Sequence, residues 1–249
     1  MTVDSDKDIQ GLKRAGQVVS QALKEMAAQV KPGITTRALD ETGARVIRSH
    51  GARSAPQLVY RFPGATCISI NNEAAHGIPG ERILQPGDMV NLDVSAELDG
   101  YFADAALTVA VPPVDQVRHN LIRCARLALQ KAIEAARAGQ PVNAIGKAIE
   151  NQAARCGFTT LMDLGGHGVG RTIHEEPHHV SCFYNSSDRR KLTEGMVLTI
   201  EPFITTGARN VYTNPENGWT LMTADGSLSA QFEHTLVVTK GHPVIITAL

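Results

Sequence analysis

The segment Asn91–Asp104 (NLDVSAELDGYFAD) constrains the fold of this chain more than any other stretch. Its first half alternates apolar and polar residues, which predicts a strand that carries Asp93 on its inner face. Asp99-Gly100 is a typical hairpin pair and brings Asp104 onto the neighbouring antiparallel strand. Two carboxylates on one apolar face are costly unless they are hydrogen-bonded or bound to a cation. Alternatively, one aspartate caps a turn while the other faces solvent.

The second half of the chain repeats this pattern. Asp93 lies six residues after Gly87, and Glu201 lies six residues after Gly195, each acid following an apolar run. The repeat also pairs Asp104–Val109 with Glu233–Val238, and His76-Gly77 with His167-Gly168. Three matches in the same order predict a duplicated unit with pseudo-two-fold symmetry. We therefore expect the acids of both halves to converge at one site.

Composition and charge are those of an ordinary globular protein. A chain of 249 residues can bury one large core, so we predict a single catalytic domain, 1–249, with halves at about 1–112 and 113–249. The net charge of −1 gives no reason to expect nucleic acid or an anionic membrane as a partner. There is no apolar run of membrane-spanning length and no secretory signal. Four scattered cysteines without a CxxC motif indicate reduced thiols in a cytoplasmic protein.

Capping residues and apolar periodicity predict four helices. They start near Ser5, Thr35 or Thr36, Asp115 and Asn143, and end near Lys31, Gly51, Ala138 and Arg155. The order helix, helix, strands occurs twice along the chain. This order favours an α+β fold, with a curved and mainly antiparallel sheet backed by helices, over a doubly wound parallel sheet.

A second motif, Gly165–Pro177 (GGHGVGRTIHEEP), is rich in glycine and histidine. The glycines predict a turn where the backbone passes close to another element, and their spacing matches neither common phosphate-binding loop. A lone histidine is more often structural than a ligand, but His167 repeats His76 and accompanies four acids. One imidazole with four carboxylates suits a pair of divalent ions such as Mn²⁺, Fe²⁺, Co²⁺ or Zn²⁺. Such a pair makes a water molecule nucleophilic at neutral pH.

Taken together, the motifs NLDVSAELDGYFAD, HGIPG, GHGVGRTIHEEP, EGMVLTIEPF and QFEHTLVVT resemble those of type I methionine aminopeptidases of bacterial length. The resemblance runs from the first helix to Val238. It implies the pita-bread fold and hydrolysis of the initiator methionine from nascent proteins and peptides whose second residue is small. It also implies a monomer that acts on nascent polypeptide N-termini, and it leaves contact with the ribosome open.

The same resemblance implies roles for individual residues. The metal ligands it implies are Asp93, Asp104, His167, Glu201 and Glu233. They would hold two divalent ions of the Co, Mn, Fe, Zn or Ni class. His76 and His174 match the histidines that flank the scissile bond without binding metal, and Glu201 would also move a proton to the leaving amine. For the methionine side chain, the candidate pocket residues are Phe62, Cys67, Ile173 and Trp219, because aromatic and polarisable surfaces suit a thioether.

The chain departs from the family pattern at two places. Ala75 precedes His76 where many relatives carry cysteine, so that thiol is not essential here. Ala105-Ala106 follow Asp104 where relatives often carry a hydroxyl residue that could hold the carboxylate. Because outer hydrogen bonds orient metal ligands, these departures bear on metal affinity and leave the ligand set unchanged.

Three alternatives share some of these features. Proline-specific peptidases have the same fold and ligands, but they usually carry a further N-terminal domain, for which 249 residues leave no room. A non-catalytic binding module on the same fold predicts eroded ligands, whereas all five positions are filled. A structural calcium site is disfavoured by the histidine, because calcium prefers oxygen ligands.

Overall fold

A computed structural model describes residues 1–248 of the chain. Within them the helices are α1 (Asp6–Ala28), α2 (Thr36–Ser49), α3 (Ala55–Tyr60), α4 (Gln116–Ala135) and α5 (Asn143–Arg155). The strands of the first part are β1 (Arg53–Ser54), β2 (Cys67–Ile70), β3 (Glu73–Ala75), β4 (Met89–Leu98) and β5 (Tyr101–Ala110). Those of the second part are β6 (Thr159–Thr160), β7 (Gly165–Gly168), β8 (Glu175–Ser181), β9 (Val197–Ile200), β10 (Phe203–Thr205), β11 (Val211–Thr213), β12 (Leu221–Thr223), β13 (Ser229–Gln231), β14 (His234–Val237) and β15 (Val244–Ile245).

Every pairing between these strands is antiparallel. One sheet has β4 at its centre, with β1 and β2 on one edge and β5 on the other. A second sheet has the order β15-β14-β9-β7-β8, and two small sheets have the orders β13-β10-β6 and β11-β12-β3. The expected α+β class with mainly antiparallel sheets is therefore confirmed.

The predicted hairpin between β4 and β5 is confirmed. Asp99 and Gly100 have φ angles of 53° and 79°, in the left-handed region that a two-residue hairpin turn of this kind requires. The register pairs Ser95 with Asp104, and Asp93 with Ala106. Asp93 and Asp104 are therefore diagonal neighbours on one face of the sheet.

The second sheet repeats the arrangement of the first. The three-strand set β7-β9-β14 corresponds to β2-β4-β5. In each set the central strand positions an acid: β9 directly precedes Glu201, and β4 contains Asp93. The matched segments Asp104–Val109 and Glu233–Val238 differ in where their acids stand relative to the strands. Glu233 directly precedes β14, whereas Asp104 lies inside β5 because the tight turn lets pairing begin at Tyr101.

The long helices cover these sheets and supply much of the core. α1 packs on β4, β5 and α2, and α4 packs on α5 and β13. The Ser5 side chain accepts a hydrogen bond from Asp8 N and so caps α1, as the sequence predicts. Buried residues recur on α1 at helical spacing, including Leu12, Val19 and Leu23. Among the described residues, no helix is both long and apolar enough to cross a membrane.

Helix α3 was not expected from the sequence. Its six residues are too few to show an apolar period, and Leu58, Val59 and Tyr60 are each 42% exposed. Ser54 caps its beginning, and Arg61, with a φ angle of 57°, ends it. The helix places Pro56 and Tyr60 at the wall of the cavity described next.

Candidate metal centre

All the site residues proposed from the sequence line one cavity of about 350 Å³. Its wall includes the five candidate ligands Asp93, Asp104, His167, Glu201 and Glu233. It also includes the candidate substrate-binding residues His76, His174, Phe62, Cys67, Ile173 and Trp219. Both sheets contribute to this wall, so the acids of the two repeats converge as the pattern predicts.

The candidate ligands lie within reach of one ion or a close pair of ions. One ligand atom from each of Asp104, His167 and Glu233 lies within 4.8 Å of the others. Nε2 of His167 is 3.5 Å from Oε1 of Glu201 and 3.9 Å from Oδ2 of Asp104. Asp93 is the diagonal neighbour of Asp104 across the hairpin, so its carboxyl group lies on the same face of the sheet. This cluster has the donor set of a site for a divalent transition metal.

The tautomer of His167 is fixed by its backbone neighbour. Its Nδ1 lies 3.0 Å from the carbonyl oxygen of Gly168, which can only accept a hydrogen bond, so Nδ1 carries the proton. Burial, followed by the effect of nearby His174, lowers the pKa of His167 to about 3, so the ring is neutral. Its Nε2 therefore presents a lone pair towards the carboxylates of Asp104 and Glu201. Such an arrangement is repulsive unless a proton or a cation lies between these groups.

The four acids are held where their ionised forms are costly. Burial raises the pKa of Asp93 to about 7. Burial also raises the pKa values of Asp104, Glu201 and Glu233 well above their ordinary range, and the neighbouring carboxylates add to this effect. Oδ1 of Asp104 and Oε1 of Glu233 are buried and accept no hydrogen bond from residues 1–248. Bound divalent ions would offset the charge and satisfy these oxygens, so the residues fit a metal centre.

Two polar side chains orient the carboxylates from behind. Gln231 donates through Nε2 to Oε2 of Glu201 at 3.0 Å and to Oε2 of Glu233 at 3.4 Å. Thr199 donates to Oε1 of Glu201 at 3.2 Å and accepts from the backbone N–H of His167 at 3.0 Å. Hydrogen bonds of this kind fix the direction of ligand atoms around a metal. Sequence reasoning did not find Gln231 or Thr199, although each lies two residues before an acid.

The glycines around His167 allow a close approach of strands. A Cβ atom on Gly166 would lie 2.3 Å from the carbonyl oxygen of Thr199, and one on Gly168 would lie 2.2 Å from that of Glu176. The expected close approach is therefore confirmed. The expected turn is wrong for Gly165–Gly168, because this segment is an extended central strand, β7, that pairs with β8 on one edge and β9 on the other.

His76 and His174 lie in the same cavity but outside the cluster of ligand atoms. The ring centroid of His174 is 4.0 Å from that of His167. His76 has a φ angle of 54°, a conformation that non-glycine residues seldom adopt away from functional sites. Burial lowers the pKa of each of these two rings, so both are neutral hydrogen-bond donors at neutral pH.

The apolar part of the cavity wall includes the candidate methionine-pocket residues Phe62, Ile173 and Trp219. The rings of Phe62 and Trp219 meet edge to face, with centroids 5.2 Å apart. Cys67 pairs with Asp93 in the register of β2 and β4, which places its thiol beside the acids. Phe203 also lines the cavity. The sequence did not identify it as a site residue, although it lies two residues after Glu201.

Comparison with known proteins identifies the same architecture elsewhere. Residues 10–240 match the model of metallopeptidase family M24. Methionine aminopeptidase 2 of Bacillus subtilis (strain 168) is 43% identical to this chain over 250 residues, which cover all of both sequences. The crystal structure of methionine aminopeptidase from Thermotoga maritima matches with a TM-score of 0.95 at 32% identity, and the match covers 100% of each chain. Both likenesses include every element that contributes to the cavity.

A more distant likeness links the chain to a proline-specific enzyme. Prolidase from Pyrococcus furiosus matches with a TM-score of 0.77 at 22% identity, and the match covers 66% of that longer chain. At this level of identity, the likeness shows a shared fold alone.

Proposed function

The chain belongs to the type I methionine aminopeptidases of metallopeptidase family M24, with their pita-bread fold and metal-dependent removal of N-terminal methionine, and from this premise we propose that its buried cluster binds two divalent ions. The proposed ligands are Asp93, Asp104, His167, Glu201 and Glu233. The observation that carries the proposal is the Nε2 lone pair of His167, 3.5 Å and 3.9 Å from carboxylate oxygens of Glu201 and Asp104.

Charge balance supports two ions over one. Four ionised carboxylates carry a charge of −4, and two divalent ions offset it. A single ion would leave a surplus of negative charge in a cavity where burial already opposes ionisation. A histidine among the ligands favours Mn, Fe, Co, Zn or Ni over calcium.

The metal ions, when bound, supply Lewis acidity that makes water nucleophilic at neutral pH and polarises the substrate carbonyl. The chain's own residues bind, orient and move protons around that chemistry. Glu201 accepts a proton from the attacking water and returns it to the leaving amine, a role suited to a carboxylate held by Thr199 and Gln231. His174 donates to the developing oxyanion, and His76 donates to the scissile amide.

The shape and charge of the cavity select the substrate. A free N-terminal amine would have a lone pair to offer the bound ions, whereas a formylated or acetylated nitrogen would not. The apolar end lined by Phe62 and Trp219 accommodates a thioether side chain. The cavity wall at Gly165 and His167 of β7 is proposed to leave little room for a large second residue. Nascent chains in the cytoplasm are the proposed source of such N-termini, and one monomeric domain, 1–249, is proposed to act on them.

Metal titration tests the two-ion proposal. Apoprotein prepared with a chelator is titrated with Co²⁺ or Mn²⁺, while heat of binding and turnover of Met-Ala-Ser are followed. We expect two bound ions in the fully active enzyme and little turnover of Ala-Pro. Full activity with a single bound ion would overturn the proposed stoichiometry, and a preference for Ala-Pro would overturn the proposed substrate.

A further inference from the structure

Tyr60 makes a hydrogen bond that the proposed mechanism does not use. Its hydroxyl oxygen lies 2.5 Å from Nδ1 of His174, and the two rings are 5.6 Å apart between centroids. Tyr60 is the last residue of α3, and its side chain lines the cavity while remaining 42% exposed. It does not belong to the cluster of ligand atoms.

The position of Tyr60 is set by the segment on either side of it. The Ser54 hydroxyl accepts from Gln57 N at the start of α3 and donates to the carbonyl oxygen of Ala65 at 2.7 Å. Beyond the helix, Asp40 accepts hydrogen bonds from Thr66 N and Thr66 Oγ1, both at 2.8 Å. The short helix and the loop that follows it are therefore tied to each other and to α2.

The backbone of His174 is also held. Thr172 donates through its hydroxyl to the carbonyl oxygen of His174 at 2.7 Å, directly before strand β8 begins at Glu175. The imidazole lies against His167 on one side and meets Tyr60 through Nδ1. No side chain among residues 1–248 makes a hydrogen bond to its Nε2, which leaves that nitrogen available in the cavity wall.

The direction of the Tyr60–His174 hydrogen bond follows from the two groups. A phenol with an ordinary pKa of about 10 remains protonated at neutral pH and is a good donor. An unprotonated imidazole nitrogen is a far better acceptor than a phenol oxygen. With the phenol as the donor, Nδ1 of His174 accepts from Tyr60, and the ring proton lies on Nε2.

We propose that Tyr60 is a positioning residue, whose hydroxyl keeps the proton of His174 on Nε2, the nitrogen that donates to the substrate carbonyl oxygen. This inference rests on the proposed role of His174. Under this proposal His167 and His174, whose rings are in contact, have opposite tautomers and opposite roles. His167, with Nδ1 donating to Gly168, presents a lone pair, whereas His174, with Nδ1 accepting from Tyr60, presents an N–H group.

The substitution Tyr60→Phe separates this role from packing. It keeps the ring against His174 and removes only the hydroxyl. Without the phenol, the ring proton of His174 can move to Nδ1 and bond to water, and Nε2 then loses its donor in that fraction of molecules. Tyr184→Phe is the matched control, because Tyr184 is 47% exposed, packs near Lys147 and lies outside the cavity.

Nitrogen NMR tests the tautomer directly. Enzyme with ¹⁵N-labelled histidine is loaded with diamagnetic Zn²⁺, and long-range proton–nitrogen correlations distinguish protonated from unprotonated ring nitrogens. The His174 signals are identified by their loss in His174→Ala. We expect a protonated Nε2 and an unprotonated Nδ1 in the native enzyme, with both shifts moving towards each other in Tyr60→Phe while the His167 signals stay in place. Unchanged His174 shifts in Tyr60→Phe would overturn the proposal.

Kinetics test whether the tautomer matters to the reaction. We expect Tyr60→Phe to lower kcat about tenfold, less than the ~10²–10³ for loss of an entire oxyanion donor, with KM within about twofold and metal content unchanged. Tyr184→Phe should leave kcat and KM unchanged. In a His174→Ala background, Tyr60→Phe should change kcat by less than about twofold, because its effect passes through the missing ring.

The outcomes distinguish this inference from the proposed mechanism. If Tyr60→Phe lowers kcat equally with and without His174, then Tyr60 does not act through that histidine and the inference is wrong. If His174→Ala itself keeps near-native kcat, the proposed oxyanion role fails, and the inference that depends on it fails for a different and recognisable reason.

Discussion

Asp104 and Thr235 are joined by a reciprocal pair of hydrogen bonds. The backbone N–H of Asp104 donates to Oγ1 of Thr235 at 2.9 Å, and the same hydroxyl donates to the carbonyl oxygen of Asp104 at 2.8 Å. Glu233 N donates in turn to the carbonyl oxygen of Ala106 at 2.8 Å. A strand of each repeat is thus fixed against the other where the acids meet. Ala105 and Ala106 offer no hydroxyl group, and Thr235 holds only the backbone of Asp104, so Oδ1 of Asp104 accepts no hydrogen bond from residues 1–248.

Removing a ligand carboxylate should separate metal binding from folding. We expect Asp104→Asn and Glu233→Gln to lower metal occupancy and abolish most turnover while leaving the chain folded, because each removes one ligand charge and keeps the side-chain volume. Metal analysis, circular dichroism and turnover of Met-Ala-Ser check this. Near-native activity with full metal content in either variant would contradict the proposed site.

The substitution Asp104→Asn should stabilise the apoprotein most at high pH. The pKa of Asp93 is raised to about 7 and that of Asp104 is raised well above its ordinary range, so the folded state binds protons more tightly than the unfolded state. The free energy of unfolding therefore falls as pH rises from about 4 through the folded pKa values. Asp104→Asn removes part of this loss, so its advantage should grow from about pH 5 to about pH 8. Urea unfolding of both chelated proteins measures it, and a constant difference would contradict the prediction.

His76, His167 and His174, three of the histidines that line the cavity, should respond differently to substitution. His167→Ala should lose metal, because its Nε2 is the proposed ligand atom. His76→Ala and His174→Ala should keep their metals and lose kcat by ~10²–10³ with smaller changes in KM, as expected for donors that act in the transition state. Metal analysis of the three purified variants decides the assignment. It would be reversed by metal loss in His174→Ala together with retention in His167→Ala.

Substrate choice should follow the second residue and the free amine. We expect turnover of Met-Ala-Ser, and little turnover of Met-Leu-Ser or formyl-Met-Ala-Ser. The wall at Gly165–Gly168 should exclude a leucine side chain. Such steric exclusion discriminates between substrates more sharply than the ~1–3 kcal/mol that one methylene contributes in a yielding pocket. Initial rates on one metal-loaded preparation give the comparison. Similar rates on all three would show that neither feature is recognised.

The outer hydrogen bonds of Gln231 should raise metal affinity. Gln231→Met keeps the length of the side chain but removes the donor to Glu201 and Glu233. We expect metal affinity to fall ~10–100-fold with the fold retained. Gln21→Met, on the exposed face of α1, is the matched control and should bind metal normally. Equal affinities of the two variants, measured by calorimetric titration, would show that Gln231 does not orient the ligands.

A single methyl group should test the close approach of β7 and β9. Gly166→Ala places a Cβ atom 2.3 Å from the carbonyl oxygen of Thr199, and both strands must shift. We expect a loss of ~1–3 kcal/mol in the free energy of unfolding, as for other overpacked sites. Gly80→Ala makes the same change where nothing lies within 4 Å, so it should be nearly neutral. Chemical unfolding of both variants gives the comparison, and equal stabilities would contradict it.

The acids, His76 and His167 could be predicted because the sequence repeat carries them, whereas His174 was assigned from the family resemblance. Asp93 and Glu201 follow their turns at the same distance, and Asp104 and Glu233 begin similar apolar runs. A local pattern of this kind survives in one sequence, because strand alternation and turn residues are themselves local. The pairing of the strands then brought the acids together as expected.

The residues that orient the site could not be predicted in the same way. Tyr60 lies on a helix of six residues without a detectable period, and its partner His174 is 114 residues away. Thr199 and Gln231 look like ordinary strand residues. The hydrogen bond from Gln231 to Glu201, and the one from His167 N to Thr199, arise only when distant strands are placed in three dimensions. Such contacts depend on tertiary packing, which local propensity does not encode.

The convergence of residues so far apart also bears on how the enzyme acquires activity. Asp93 and Glu233 are the first and the last of the five candidate ligands along the chain. Thr235 fixes the two repeats together beside these ligands. Contacts of long sequence separation are slow to form because the loop between them must first close. A chain folded only as far as β9 would have three of the five candidate ligands in place and a fourth at its edge. The peptidase should therefore gain activity in the last stage of its own folding, when β14 comes to lie against β5.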